Sequence, residues 1–180
     1  MIAELALTEW VDQSIEDMLR ACERSAVHLE MRDGYMRSDP DFAAWRDGQR
    51  WDPADRESWW HPWYQATSDV TSRGVEIRRA RIVSEPLSEY VRYEYDCTFM
   101  NIIGGEKVRW LPRRRATDLA LPGNDFWLFD GRIVLVNHFT GEGESAAHET
   151  TTDLAVVKLC ATAFEAVWER AIPHEDYRPT

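Results

Sequence analysis

A chain of 180 residues with 44% hydrophobic and 29% charged side chains suits one domain, or one domain with a helical extension. It can bury a sizeable core and is too apolar for wholesale disorder. Its formal charge of −11 argues against general binding to nucleic acid or to an anionic membrane, both of which need a dense positive field. No apolar run approaches the roughly 18 residues of a membrane span, and Met1-Ile2-Ala3-Glu4-Leu5 lacks the basic start of a signal peptide. Three cysteines (Cys22, Cys97, Cys160) are odd in number and lie in apolar contexts. A reduced, cytoplasmic protein is the expectation.

Thr8 can cap a helix running to about Arg24, with Trp10, Val11, Ile15, Met18, Leu19 and Cys22 at helical spacing. Ala26 to Met31 is short and fits helix or strand. Asp39-Pro40 opens a short capped helix that Gly48 stops. Asp52-Pro53 opens another, which Pro62 either kinks or replaces with a fresh helix, ending at Arg73-Gly74. Five of the nine tryptophans (Trp45, Trp51, Trp59, Trp60, Trp63) fall in this stretch. They serve either as packing area between layers or as anchors for a partner.

Beyond Gly74 the pattern becomes β-branched and nearly alternating, so Val75 to Val83 reads as a strand. A helix follows from Glu85-Pro86, carrying Leu87, Val91, Tyr95 and Thr98 on one side. Lys107 to Leu111 is a strand cut by Pro112. Asp125 to Phe129 and Arg132 to Phe139 form a hairpin through Asp130-Gly131. Gly141 to Thr152 reads as a mobile loop. Asp153 caps the last helix, about 154–171, whose stripe includes Val156, Val157, Leu159, Cys160, Ala163, Phe164, Val167 and Trp168, with Pro173 as its stop. The order β-α-β-β-β-α gives an α/β (α+β) fold with a mixed sheet, a parallel crossover and covering helices. Residues 1–73 form an N-terminal helical layer and 74–173 an α/β subdomain of one compact domain.

Segments Ser25 to Asp33, Arg73-Gly74-Val75, Arg79 to Tyr90, Leu121 to Gly131 and Ala163 to Ala171 closely resemble an actinobacterial family of unknown function. That family is abundant in streptomycetes and often associated with helix-turn-helix regulators. More loosely, Arg73 to Ala171 is similar to a phospholipase D-type half-fold. In that motif a His stands seven residues before the Asp of the Asp-Gly turn and a Lys five before it. Here those places hold Gly123 and Asp125. The resemblance thus implies the scaffold without its nucleophile and its phosphate-gripping cation. It also implies a homodimer, since such halves usually pair.

Among candidate site residues, Arg79 and Arg81 share one face of their strand while Arg78 points the other way. With Tyr90 and Arg92 on the next helix and Arg109 on the next strand, they could converge on a small anion, which arginine binds bidentately. The alternative is internal pairing with Glu85, Glu89, Glu94 and Asp125. His28 and Glu30, if on a strand, could form an acid–base pair or half a metal site; the alternative is a structural His and a Glu30-Arg32-Asp33 salt-bridge cluster. Asp125 is expected to pair with an arginine, Asp130 to serve as the turn residue, and Trp127 to line the same cleft. No nucleophile elbow, P-loop or dinucleotide fingerprint occurs, and no cofactor or metal is implied.

The expectation is a non-catalytic accessory or effector-binding protein in actinobacterial transcriptional control. It would bind a helix-turn-helix regulator or a small anionic ligand, with no direct contact to nucleic acid or membrane. An enzyme with a remodelled site, a hydrolase or transferase on an anionic substrate, is the alternative. A deep pocket where a carboxylate meets a His favours the enzyme, and a flat Trp/Arg face favours the partner.

Overall fold

Val27-His28-Leu29-Glu30 resolves as strand, and this sets the centre of the sheet. In the computed structural model, which describes residues 14–180, β1 (Ser25–Glu30) pairs parallel with β2 (Glu76–Val83) and antiparallel with β4 (Asp125–Phe129). β2 pairs parallel with β3 (Lys107–Pro112) across the expected helical crossover, α4 (Glu89–Ile103). β5 (Ile133–Phe139), β6 (Ser145–Thr151) and β7 (Ile172–Pro173) complete seven strands in the order β6-β5-β4-β1-β2-β3-β7. The sheet therefore crosses the boundary expected at Gly74, and the N-terminal segment supplies a middle strand as well as helices.

Two further expectations are corrected. Gly141 to Thr152 is mostly β6, paired antiparallel with β5; its sparse apolar content suits an edge strand with one open side, and hid it from a hydrophobic pattern. The segment from Asp52 holds only a three-residue 3-10 turn, and Pro62 starts the fresh helix α3 (Pro62–Ser72). The first helix, α1 (Ile15–Arg20), is capped by Ser14, whose Oγ accepts from Asp17 N; the expected Thr8 cap, with Trp10 and Val11, lies outside the described residues.

One face of the sheet carries α5 (Leu154–Arg170), capped by Asp153 as expected. Val157, Cys160, Phe164 and Val167 pack there onto Val27, Leu29, Ala80, Ile82, Leu111, Phe126, Leu128 and Val134. Leu159 leaves the predicted stripe and faces solvent. The helix ends before Pro173, where Ala171 turns extended and Ile172–Pro173 joins β3.

The opposite face carries α1, α3 and α4 with α2 (Pro40–Arg46). Trp45 packs with Phe42, Tyr35 and Tyr90; Trp59 packs with Tyr64 and Met100; Trp51, Trp60 and Trp63 lie half-buried against them. These tryptophans thus bind the helices to one another, the structural reading of the pair. The α4–β3 turn passes tightly over α3: Gly105 has φ +100°, and a Cβ there would meet Thr71 Oγ1 at 2.3 Å.

Candidate functional site

Between this second helical layer and the sheet lies a cavity of about 530 Å³. Strand alternation builds its floor. Residues at every second position point into it: His28 and Glu30 from β1, Arg79 and Arg81 from β2, Asp125 and Trp127 from β4, Asn137 and Phe139 from β5. Tyr90, Tyr93, Glu94 and Cys97 of α4 form much of the roof, Asp41 comes from the first turn of α2 and Asp39 from its N-cap, and Tyr35 from the loop after β1.

Register brings these polar groups together. Glu30 is opposite Arg81 and His28 is opposite both Arg79 and Trp127. The Glu30 carboxylate accepts from Arg79 Nη1 and from Arg81 Nε. Glu106, buried at the start of β3, accepts from Arg79 Nε at 2.7 Å, from Trp63 Nε1 at 3.2 Å and from Asn101 Nδ2 at 2.9 Å. Arg81 Nη1 donates to Thr98 Oγ1 at 2.8 Å, and its Nη2 lies 3.7 Å from Glu94. Arg79 and Arg81 are only 7% and 6% exposed, so their charges are met by protein carboxylates.

Burial alone would raise Glu30, but the guanidiniums of Arg81 and Arg79 outweigh it and hold the carboxyl well below its usual range. Glu94 goes the other way. Burial, with Glu30 and Asp125 nearby and only the distant Arg81 and Arg79 opposing, lifts it to about 8. Asp125 is lifted by burial and by Glu30 to about 6, against the hydrogen bonds it accepts from the Tyr35 hydroxyl and Met31 N. His28 is driven down to about 3, chiefly by burial, so it is a neutral imidazole at pH 7. It stacks on Trp127 at 4.2 Å, and its buried Nδ1, 3.4 Å from Glu30 Oε1, makes no hydrogen bond among the described residues.

Of the sequence candidates, Arg79, Arg81, His28, Glu30, Tyr90, Asp125 and Trp127 meet at this cavity. The wider arginine cluster does not form. Arg109 points through the sheet to α5, donating to Trp168 O at 2.9 Å and lying over that indole ring at 4.4 Å. Arg92 is exposed on α4, its Nε 3.5 Å from Leu87 O. Glu85 accepts from the Tyr177 hydroxyl at 2.9 Å and faces Arg114. Alternation explains Arg109: it stands opposite Ala80 in register and shares that residue's face.

Three pairings also differ from expectation. Glu30 engages Arg79 and Arg81, while Asp33 takes Arg113 at 3.2 Å. Asp125 is held by a tyrosine and a backbone amide, with no arginine paired to it among the described residues. Asp130 does more than turn the hairpin: its carboxylate accepts from Glu23, Arg24 and Ser25 amides at 2.8–3.1 Å and pins the entry to β1. Tyr35, Glu106, Asn137 and Tyr93 join the site without having been expected there. The spacing Tyr90, Glu94, Cys97, Asn101 on α4 was the available signal, a polar helical stripe facing the cavity.

Residues 13–179 match the family described as Domain of unknown function (DUF6879), and the chain belongs to it. No curated protein matches by sequence. Among solved structures, the chain is similar to NucT from Helicobacter pylori, at 12% identity, covering 88% of this chain and 87% of that one, with a TM-score of 0.50. It is also similar to a phospholipase D family member, Nuc from Salmonella typhimurium, at 11% identity, covering 91% and 88%, with a TM-score of 0.49. The likeness concerns the fold, which is phospholipase D-like. No helix among the described residues is long and apolar enough to cross a membrane.

Proposed function

We propose that this member of the family is a non-catalytic binding protein whose cavity holds a small effector molecule. One observation carries the reading. Where the phospholipase D pattern has its lysine stands Asp125, facing a cavity whose two guanidiniums are already engaged by Glu30 and Glu106. Phosphoryl transfer needs an activated nucleophile and positive groups aimed at the developing charge. This cavity offers neither to a phosphodiester, and the same neutralisation disfavours the small anion expected from the arginines. A concave space of about 530 Å³ with aromatic residues in its walls suits a small molecule, whereas a flat Trp/Arg face would have suited a protein partner.

We place the effector's action in transcriptional control through a helix-turn-helix partner; this setting rests on the family resemblance. The test is native mass spectrometry of the protein after exposure to a metabolite extract, beside a pull-down from its host. Expected are an added small-molecule mass and a co-purifying regulator. Turnover of bis(p-nitrophenyl) phosphate that disappears in Asp125→Asn would overturn the non-catalytic reading. A second reading has its own support: the pocket brings a carboxylate and a His together, His28 Nδ1 3.4 Å from Glu30 Oε1, which is the arrangement expected of the enzyme, and raised Asp125 and raised Glu94 share it. Any turnover lost in both His28→Ala and Asp125→Asn would establish it.

A further inference from the structure

Resting on that reading of the cavity as a ligand site, we infer that the ligand is a small organic cation, a protonated amine on a flat apolar body. The first reason is the sign of the unmet charge. Five carboxylates line the cavity (Glu30, Asp39, Asp41, Glu94, Asp125) against two guanidiniums, Arg79 and Arg81. Both guanidiniums are bound to carboxylates, Glu30 for Arg81 and Glu30 with Glu106 for Arg79, so an anion entering here meets positive charge that buried ion pairs already balance.

The second reason is acceptor capacity left open inside the protein. The Glu94 carboxylate accepts no hydrogen bond among the described residues, and its nearest cation is Arg81 Nη2 at 3.7 Å. Buried polar groups are normally paired, and an ammonium N–H supplies the missing donors.

The third reason is the walls. The rings of Tyr90, Tyr93 and Trp127 line the space, and aromatic faces attract cations through their quadrupole. Among the described residues no three His, Cys, Asp or Glu side chains are grouped to hold a metal ion, and the volume exceeds what one needs.

Ligand charge also explains the protonation of the site. Glu94, facing Arg81 and Arg79 from β2, Glu30 from β1, Asp125 from β4 and Tyr90 from its own helix, holds a proton when nothing else balances it; so does Asp125, facing Tyr35, Glu30 and Arg32. A bound cation replaces those protons. Affinity then rises with pH between about 6 and 8, the raised values of these two acids.

The experiment is calorimetric titration of the full chain at pH 7 with three probes of similar shape: phenethylamine, 2-phenylethanol and 3-phenylpropionate. The amine is expected to bind about tenfold or more tighter than the alcohol, with proton release seen as a dependence of heat on buffer. Glu94→Gln should remove that advantage and leave the alcohol unchanged; Asp125→Asn provides the same comparison if the first variant does not fold. Equal affinity for amine and alcohol, or a preference for the carboxylate probe, overturns the cationic class while the cavity stands as a ligand site. If no probe binds or changes the tryptophan emission, both readings fall.

Discussion

Glu30→Gln tests the charge balance on which the site reading depends. The side chains are nearly equal in volume, so the change removes one negative charge and creates almost no space. In the native protein the Glu30 carboxylate accepts from Arg79 Nη1 and Arg81 Nε, with all three side chains under 10% exposed. A glutamine oxygen can serve one guanidinium, but its amide NH2 then faces the donors of the other. Removing one partner of a buried ion pair typically costs about 3–5 kcal/mol, because the remaining charge is left uncompensated. For a chain of this length each kcal/mol shifts Tm by about 2–4 °C, so a drop of about 6–20 °C is expected in thermal unfolding. The penalty depends on pH in a defined direction. A carboxyl held low in the native state contributes stability above its unfolded value, about 4.3, and loses it as pH falls towards the native one. Wild type and variant should therefore converge as pH is lowered below about 4. Arg81→Met in the Glu30→Gln background should recover part of the loss, with a coupling of about 1–3 kcal/mol. A variant within about 1 kcal/mol of wild type at pH 7 would mean that the guanidiniums are balanced by something other than Glu30.

Glu94 and Asp125 predict the opposite pH dependence. Acids raised in the native state contribute stability below their unfolded values, near 4, and lose it as pH rises through about 6 for Asp125 and about 8 for Glu94. The urea midpoint of the ligand-free protein should fall between pH 5 and pH 8, and Glu94→Gln should flatten that fall; a flat wild-type profile contradicts the account. Asp130→Asn keeps a residue that tolerates φ of +51° but removes the charge that holds three backbone amides. A loss of about 1–3 kcal/mol is expected by chemical denaturation, shrinking below pH 4 because this carboxyl is held low by those amides, and a neutral outcome would deny its role at the entry to β1. Arg109→Met should cost about 1–2 kcal/mol through its lost hydrogen bond and ring contact, yet leave phenethylamine affinity unchanged; altered affinity would place Arg109 at the cavity after all.

Much of the scaffold was legible because β2, β4, β5 and α5 advertise themselves by alternation or by a helical stripe with a capping aspartate. The same alternation correctly put Arg79 with Arg81 and opposed Arg78. Three strands escaped, the shortest being the two-residue β7 at the Pro173 helix stop. β1 is six residues long and buried on both faces, so polar His28 and Glu30 interrupt the apolar run that would mark a central strand. β6 is an edge strand with little apolar content. The site failed where it depended on register between strands far apart in sequence. Whether Glu30 meets Arg81 or Asp33 depends on β1 lying beside β2 in one register, as does the departure of Arg109 to the other face. Local pattern fixes which way a residue points along its own strand; it does not fix which strand lies alongside.

The two faces of the sheet divide the work. The α5 face is aliphatic and aromatic almost throughout, with Val27, Leu29, Ala80, Ile82, Phe126 and Leu128 beneath the helix, and it supplies hydrophobic burial without ionic groups in its core. The cavity face buries Glu30, Glu106, Arg79, Arg81 and Asp125 within a single layer of side chains. Desolvating so many ions is expensive, and a well-packed apolar set would often be as stable or more so. A fold selected for stability alone has no reason to carry them, and neighbouring alternate positions on the same strands show that apolar residues fit. Recognition, the role proposed for the cavity, would give that cost a reason. With its guanidiniums balanced internally while Glu94 and Asp125 are left to protonate, the layer has the charge pattern that the proposed cationic ligand requires.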